Sequence, residues 1–176
     1  MPSKSRNLRE SLGIPNSAIC GIWIGGRDSF DIQFVRELVS DLSERGNLYF
    51  IFVNTEEFIK APNVIFLETV FDKQIKADLL ASADYFLHAR TRGETFGISI
   101  VEAIQMGIPV FAWQGGIDRN HTELLPTNWL YNDSLDLLGK ILECKSLRDE
   151  TFCHSSEIYR PASVMKKFLE VFPIVE

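Results

Sequence analysis

The 176 residues are 45% hydrophobic and 24% charged and include thirteen Phe, three Trp and four Tyr, enough apolar bulk for one domain with a purely hydrophobic core. A net charge of −6 argues against a general nucleic-acid binder, which needs Lys and Arg in excess over one face, yet leaves room for a small anionic ligand met by a few local cations. The first nine residues carry no apolar leader, and the longest aliphatic and aromatic run, residues 48–53, is far too short to span a bilayer.

Short apolar runs alternate with longer helical patterns, the signature of successive βα units around a parallel sheet. A first strand is predicted over residues 18–25. The next stretch, 29–45, sets Phe30, Phe34, Val35, Leu38, Val39 and Leu42 at helical spacing before Gly46 stops it. Strands follow at 48–53 and 63–67, then a helix at 72–82. Residues 84–88 give a fourth strand, 95–106 a helix ended by Gly107, and 108–113 a fifth strand apolar enough to be buried on both faces. A short strand at 129–131 and helices at 135–143 and 162–171 complete the chain. The expected fold is α/β, a doubly wound parallel sheet with helices on both faces, with residues 1–176 forming a single domain. Cys20, Cys144 and Cys153 make an odd set without metal-type pairing, which suits a reducing, cytoplasmic setting.

In such a sheet, ligands collect beyond the carboxyl ends of the strands, where strand order reverses. The segments to inspect are therefore 25–29, 68–71, 88–97 and 114–122. Gly25-Gly26-Arg27-Asp28-Ser29 leads from the first strand into a helix, so the glycines would admit a close backbone approach and Arg27 could meet a phosphate there. A tight turn with a solvated Arg is the plain alternative. The segment His88-Ala89-Arg90-Thr91-Arg92-Gly93-Glu94-Thr95-Phe96-Gly97 runs into the helix that holds Glu102. Free N–H groups near residues 95–97 would make an anion site. Eight residues separate Glu94 from Glu102, roughly 12 Å of helix rise, so they cannot act as a close carboxylate pair. They suit hydroxyls at opposite ends of an elongated ligand, such as a sugar and a ribose joined by a diphosphate. His121 lies in a ligand-facing loop, where a single His is more often structural or solvated; His88 ends a strand beneath the site, where a hydrogen-bonded supporting role is as much expected as a direct one; His154 is expected at the surface.

The run Gly93-Glu94-Thr95-Phe96-Gly97-Ile98-Ser99-Ile100-Val101-Glu102-Ala103, followed by Met106-Gly107-Ile108-Pro109-Val110, resembles the signature of group 1 glycosyltransferases. The likeness extends more loosely from Leu8-Arg9-Glu10-Ser11-Leu12-Gly13-Ile14-Pro15, similar to that family's entry into its second domain, to the last helix. The resemblance implies the Rossmann-like carboxy-terminal half of the GT-B fold, binding a nucleotide diphosphate sugar, with the acceptor domain absent. By this likeness Glu102 would bind the ribose and Glu94 the donor sugar. The backbone at Phe96 and Gly97 would hold the diphosphate and sugar, Arg27 with Gly26 would meet the diphosphate, and the backbone at Thr69 and Val70 would contact the base. Glu94 and Arg27 would carry the transfer step. Neither metal nor other cofactor is expected.

Two departures stand out. The family's Lys five residues beyond the Arg is here Ile32, a gap that Arg90 or Arg92 could fill, and Gly115-Gly116 is not followed closely by a Glu, Glu123 being further on. The expected function is the donor-binding half of a glycosyltransferase, working with a separate acceptor-binding domain or subunit and with neither nucleic acid nor a membrane span. A non-catalytic nucleotide-sugar-binding or partner-binding module is the alternative. A dinucleotide fold would want Gly-x-Gly-x-x-Gly after the first strand, and a receiver domain would want acids where Gly25 and Asn54 stand.

Overall fold

A computed structural model describes residues 5–147 and 161–172. In chain order its elements are β1 (Ile19–Ile24), α1 (Gln33–Leu42), β2 (Leu48–Val53), β3 (Val64–Leu67), α2 (Lys73–Ala81), β4 (Tyr85–His88) and β5 (Gly93–Glu94). They continue with α3 (Ile98–Gln105), β6 (Val110–Trp113), β7 (Asp118–Arg119), α4 (Asn120–Leu124), a 3-10 turn (Thr127–Trp129), β8 (Leu130–Tyr131), α5 (Ser134–Leu142) and α6 (Pro161–Val171). Six strands form one sheet in the order β3-β2-β1-β4-β6-β8, every pair parallel. Strand order reverses between β1 and β4, so a crevice opens beyond their carboxyl ends.

The strands are apolar on both faces because helices cover both. In β2, Leu-Tyr-Phe-Ile-Phe-Val, all but Tyr49 are buried. An aromatic seam runs beneath the crevice from Trp23 through Phe30 to Phe52, with ring centroids 5.6 and 4.8 Å apart. Each such ring contributes roughly 1.5–3 kcal/mol through burial. Asp72 and Asp133 start α2 and α5 by accepting the N–H groups of Gln74 and Ile75, and of Leu135 and Asp136.

The amino-terminal segment is tied down by Arg9, which is buried. Its guanidinium donates to the carbonyls of Ser82 and Ala18 and sits 2.6 Å from Asp84 Oδ2, which also accepts the Cys20 N–H. Burial pushes the Cys20 thiol up to about 12. None of the described helices is long and apolar enough to cross a membrane. Cys153 and His154 lie outside the described residues.

Several boundaries differ from expectation for identifiable reasons. Helix α1 starts four residues later than predicted, because Phe30 and Ile32 are drawn into the core and Asp31 is pinned to the next loop. The Asp31 N–H donates to Ala89 O at 3.0 Å, and its carboxylate accepts the Thr91 N–H at 2.6 Å. Helix α3 begins at Ile98 rather than Thr95: Gly97 precedes it in the left-handed region at φ +79°, and the Thr95 carbonyl is taken by the Asn120 side chain. Trp129 ends a 3-10 turn instead of opening β8. Strands β5 and β7 and helix α4 fall in segments expected to be loops.

Candidate functional site

Loop 25–29 divides the crevice into two hollows. One, of about 320 Å³, lies between β1 and β4 and is lined by Gly26, Arg90, Glu94, Phe96, Gly97 and Ser99 among others. The other, of about 370 Å³, lies toward β2 and β3 and is lined by Arg27, Asn54, Thr55, Glu56, Phe66 and Glu68 among others. Five of the predicted residues thus meet in the first hollow, while Arg27 walls the second.

The position of Glu94 follows from the strand it occupies. β5 pairs with β7 through Gly93 opposite Asp118 and Glu94 opposite Arg119. Only glycine fits at 93, where φ is +80° and a Cβ would stand 2.1 Å from Asp118 O. The Glu94 N–H donates to Nδ1 of His121 at 3.3 Å, and Nε2 of His121 lies 2.9 Å from Trp113 O. An acceptor at Nδ1 and a carbonyl at Nε2 require the tautomer protonated on Nε2. His121, far from solvated, is fully buried and packs its ring 4.9 Å from that of His88.

The Glu94 carboxylate is held at both oxygens. Nε2 of His88 lies 3.4 Å from Oε1, and Nη1 of Arg90 lies 3.1 Å from Oε2. Partial burial alone would raise the carboxyl pKa, but the approach of His88 and the charged hydrogen bond of Arg90 outweigh it and hold it below the ordinary glutamate value. Burial lowers His88 from the ordinary imidazole range against the opposing pull of Glu94, so it is neutral at pH 7. The result is an ionised carboxylate in a fixed pose at the hollow's edge, with spare lone pairs for ligand hydroxyls.

At the opposite wall α3 begins. Its first helical bond is from the Val101 N–H to Gly97 O, so the N–H groups of Ile98, Ser99 and Ile100 have no carbonyl within the helix. All three residues line the 320 Å³ hollow, so the N–H groups that face it lie a few residues beyond 95–97. Glu102 stands on the Ile98 face of α3, one turn on, and pairs with Lys76 from α2 rather than walling either hollow.

The remaining candidates separate. Arg90 faces the hollow, whereas the exposed Arg92 is turned away to Asp118 Oδ2 at 2.8 Å. Ile32, where a cation would stand in the resembling family, is 3% exposed and part of the core. Thr69 Oγ1 donates to Asn54 Oδ1 at 2.8 Å, and Val70 packs on the core edge; neither walls a hollow. Glu123 is exposed on α4. The supporting role expected of His88 falls on Glu94, whereas the bond from Glu94 to His121, the pairing of Lys76 with Glu102, and Asn54 were not anticipated. Each partner comes from a different strand or helix, and the one local hint was a histidine closing the buried strand β4.

A family model for group 1 glycosyl transferases matches residues 32–144. Among solved structures, the chain is similar to HepE from Anabaena in complex with UDP-glucose, at 21% identity and a TM-score of 0.70, over 96% of this chain and 52% of that one. It is similar to a glycosyltransferase from Rickettsia africae at 18% identity and a TM-score of 0.64, over 93% and 49%. It is also similar to WaaG, a glycosyltransferase involved in lipopolysaccharide biosynthesis, at 19% identity and a TM-score of 0.62, over 99% and 52%. At these identities the likeness is one of fold, and the chain spans about half the length of these structures. No curated protein sequence matches it.

Proposed function

We propose that this chain, which belongs to the group 1 glycosyl transferases, is the donor-binding half of a GT-B glycosyltransferase that moves a sugar from a nucleotide diphosphate sugar to an acceptor. The observation that carries the reading is the ionised Glu94 carboxylate, fixed by His88 and Arg90 across a hollow from the unbonded N–H groups of α3. A sugar would offer hydroxyls to Glu94, and the diphosphate would lie against Ile98 to Ile100. As the sugar leaves, charge on the nucleotide diphosphate would be met by those N–H groups, by Arg27 and by Arg90. No metal is called for. The ribose would reach Glu102 by sharing its carboxylate with Lys76, and the base would lie by Thr69 and Val70, next to the 370 Å³ hollow.

An acceptor-binding domain outside these residues, on the same or another polypeptide, would complete the enzyme. Supporting this, Phe71, Phe96 and Ile117, on loops at the carboxyl end of the sheet, and Ile98, at the start of α3, are 91%, 47%, 86% and 66% exposed. A cytoplasmic setting fits the buried Cys20 and Cys144, neither of which is in a disulfide. One observation favours the second reading, a nucleotide-sugar-binding module without turnover: Ile32 lies in the core where the family places a cation.

Calorimetric titration with UDP-, GDP-, ADP- and TDP-sugars tests the donor site. Removing a hydrogen bond to a charged group costs about 1.5–3 kcal/mol, so Glu94→Ala or Glu102→Ala should weaken binding by at least about tenfold. Binding by neither the unaltered chain nor any variant would refute the site. Binding without transfer, once an acceptor domain is restored, would establish the second reading.

A further inference from the structure

Three loops meet at Asn54. Its backbone N–H donates to Leu67 O at 2.9 Å and closes the β2–β3 ladder. Its side-chain Nδ2 donates to Gly25 O at 2.9 Å, and its Oδ1 accepts from Thr69 Oγ1 at 2.8 Å. Asn54 does this at φ 55°, the one non-glycine residue with positive φ among the described residues. Asn tolerates that conformation better than other side-chain-bearing residues, and such backbone persists only where its surroundings fix it. Glycine would fit the backbone with less strain. What glycine lacks is the amide, whose two ends here reach loops that emerge from β1 and β3, on either side of β2.

We propose that Asn54 is a positioning residue that sets the spacing between loop 25–29 and the loop after β3, and so between the diphosphate and base ends of the donor. This rests on the donor-site reading above. The two loops carry Gly26 and Arg27 on one side and Thr69 and Val70 on the other, and Asn54 itself walls the 370 Å³ hollow between them. Without the clamp, each loop would sample positions independently, and the ligand would have to order them on binding.

The test uses the 176-residue chain with UDP and GDP as probes. Asn54→Gly keeps the left-handed backbone accessible and deletes both side-chain bonds, whereas Thr69→Val deletes one. Affinity should fall about tenfold in Asn54→Gly and about threefold in Thr69→Val. The double variant should be no worse than Asn54→Gly alone, because Thr69 acts through the amide. The Tm of Asn54→Gly should stay within about 3 °C of the unaltered chain, while 15N order parameters of Gly26 and Thr69 fall in the free protein. Unchanged order parameters would overturn the clamp whether or not a probe binds. Reduced order with unchanged affinity, or fully additive losses, would overturn its role in donor binding. Failure of the unaltered chain to bind either probe would overturn the donor-site reading, and with it the role assigned here, even with the order parameters as expected.

Discussion

Replacing His88 by Phe should flatten the stability of this domain between about pH 7.5 and about pH 5.5. His88 is 1% exposed, its ring lies between those of Trp23 and His121, and Glu94 and Arg90 are the charged groups beside it. Burial lowers its folded-state pKa below the ordinary 6.5. Below 6.5 the unfolded chain therefore takes up a proton that the folded chain refuses, so stability present above that pH is lost as pH falls. One pH unit below the unfolded value the loss reaches about 1.4 kcal/mol if the folded His88 stays neutral. Phe fills similar space and cannot titrate. Urea unfolding across this range should show the unaltered chain losing up to about 1.4 kcal/mol more than His88→Phe, at constant m-value. Equal pH slopes in the two proteins would show that His88 is not buried in a neutral state and would remove the basis for its contact with Glu94. The Glu94 carboxyl, held below its ordinary 4.5, gives a second loss of the same sign at lower pH, outside this window.

Gly93→Ala should destabilise by about 2–5 kcal/mol, from the left-handed backbone and the clash of its Cβ with Asp118 O; thermal unfolding reads it directly, and a loss under about 1 kcal/mol would mean that the β5–β7 pairing is not as described. Arg9→Ala removes the cation from a buried carboxylate and its bonds to the carbonyls of Ser82, Asn16 and Ala18, with an expected cost of about 3–5 kcal/mol in urea unfolding. Arg9→Lys should recover little of it, because a lone ammonium cannot reproduce a fork that serves Ser82 O, Ala18 O and Asp84 together.

The order of βα units was legible because each strand is a short apolar run and each helix an amphipathic one, both local properties of sequence. Boundaries failed where tertiary contacts overrode local pattern: Phe30 has helical spacing relative to Phe34, yet Asp31 is bonded to Ala89 and Thr91 and the helix waits until Gln33. The gathering of Gly26, Glu94, Phe96 and Gly97 was legible from strand ends and glycines. Arg90 and Arg92 were not separable in sequence, since a turn over Thr91 and Arg92 parts their side chains and Asp118, which draws Arg92 off, lies far along the chain. The sequence order likewise gave no sign of His121 reaching Glu94, because that contact depends on β5 and β7 lying side by side, and two-residue strands leave no periodicity to detect.

That short ladder also ties two loops into one unit. Residues 118–121 do not wall the 320 Å³ hollow, but they share backbone bonds with Arg92 and Glu94. A molecule held by Glu94 should therefore be sensed in residues 118–121. A spectroscopic label or an isotope-resolved amide in that stretch would serve as a remote gauge of occupancy, registering a bound ligand without obstructing its entry.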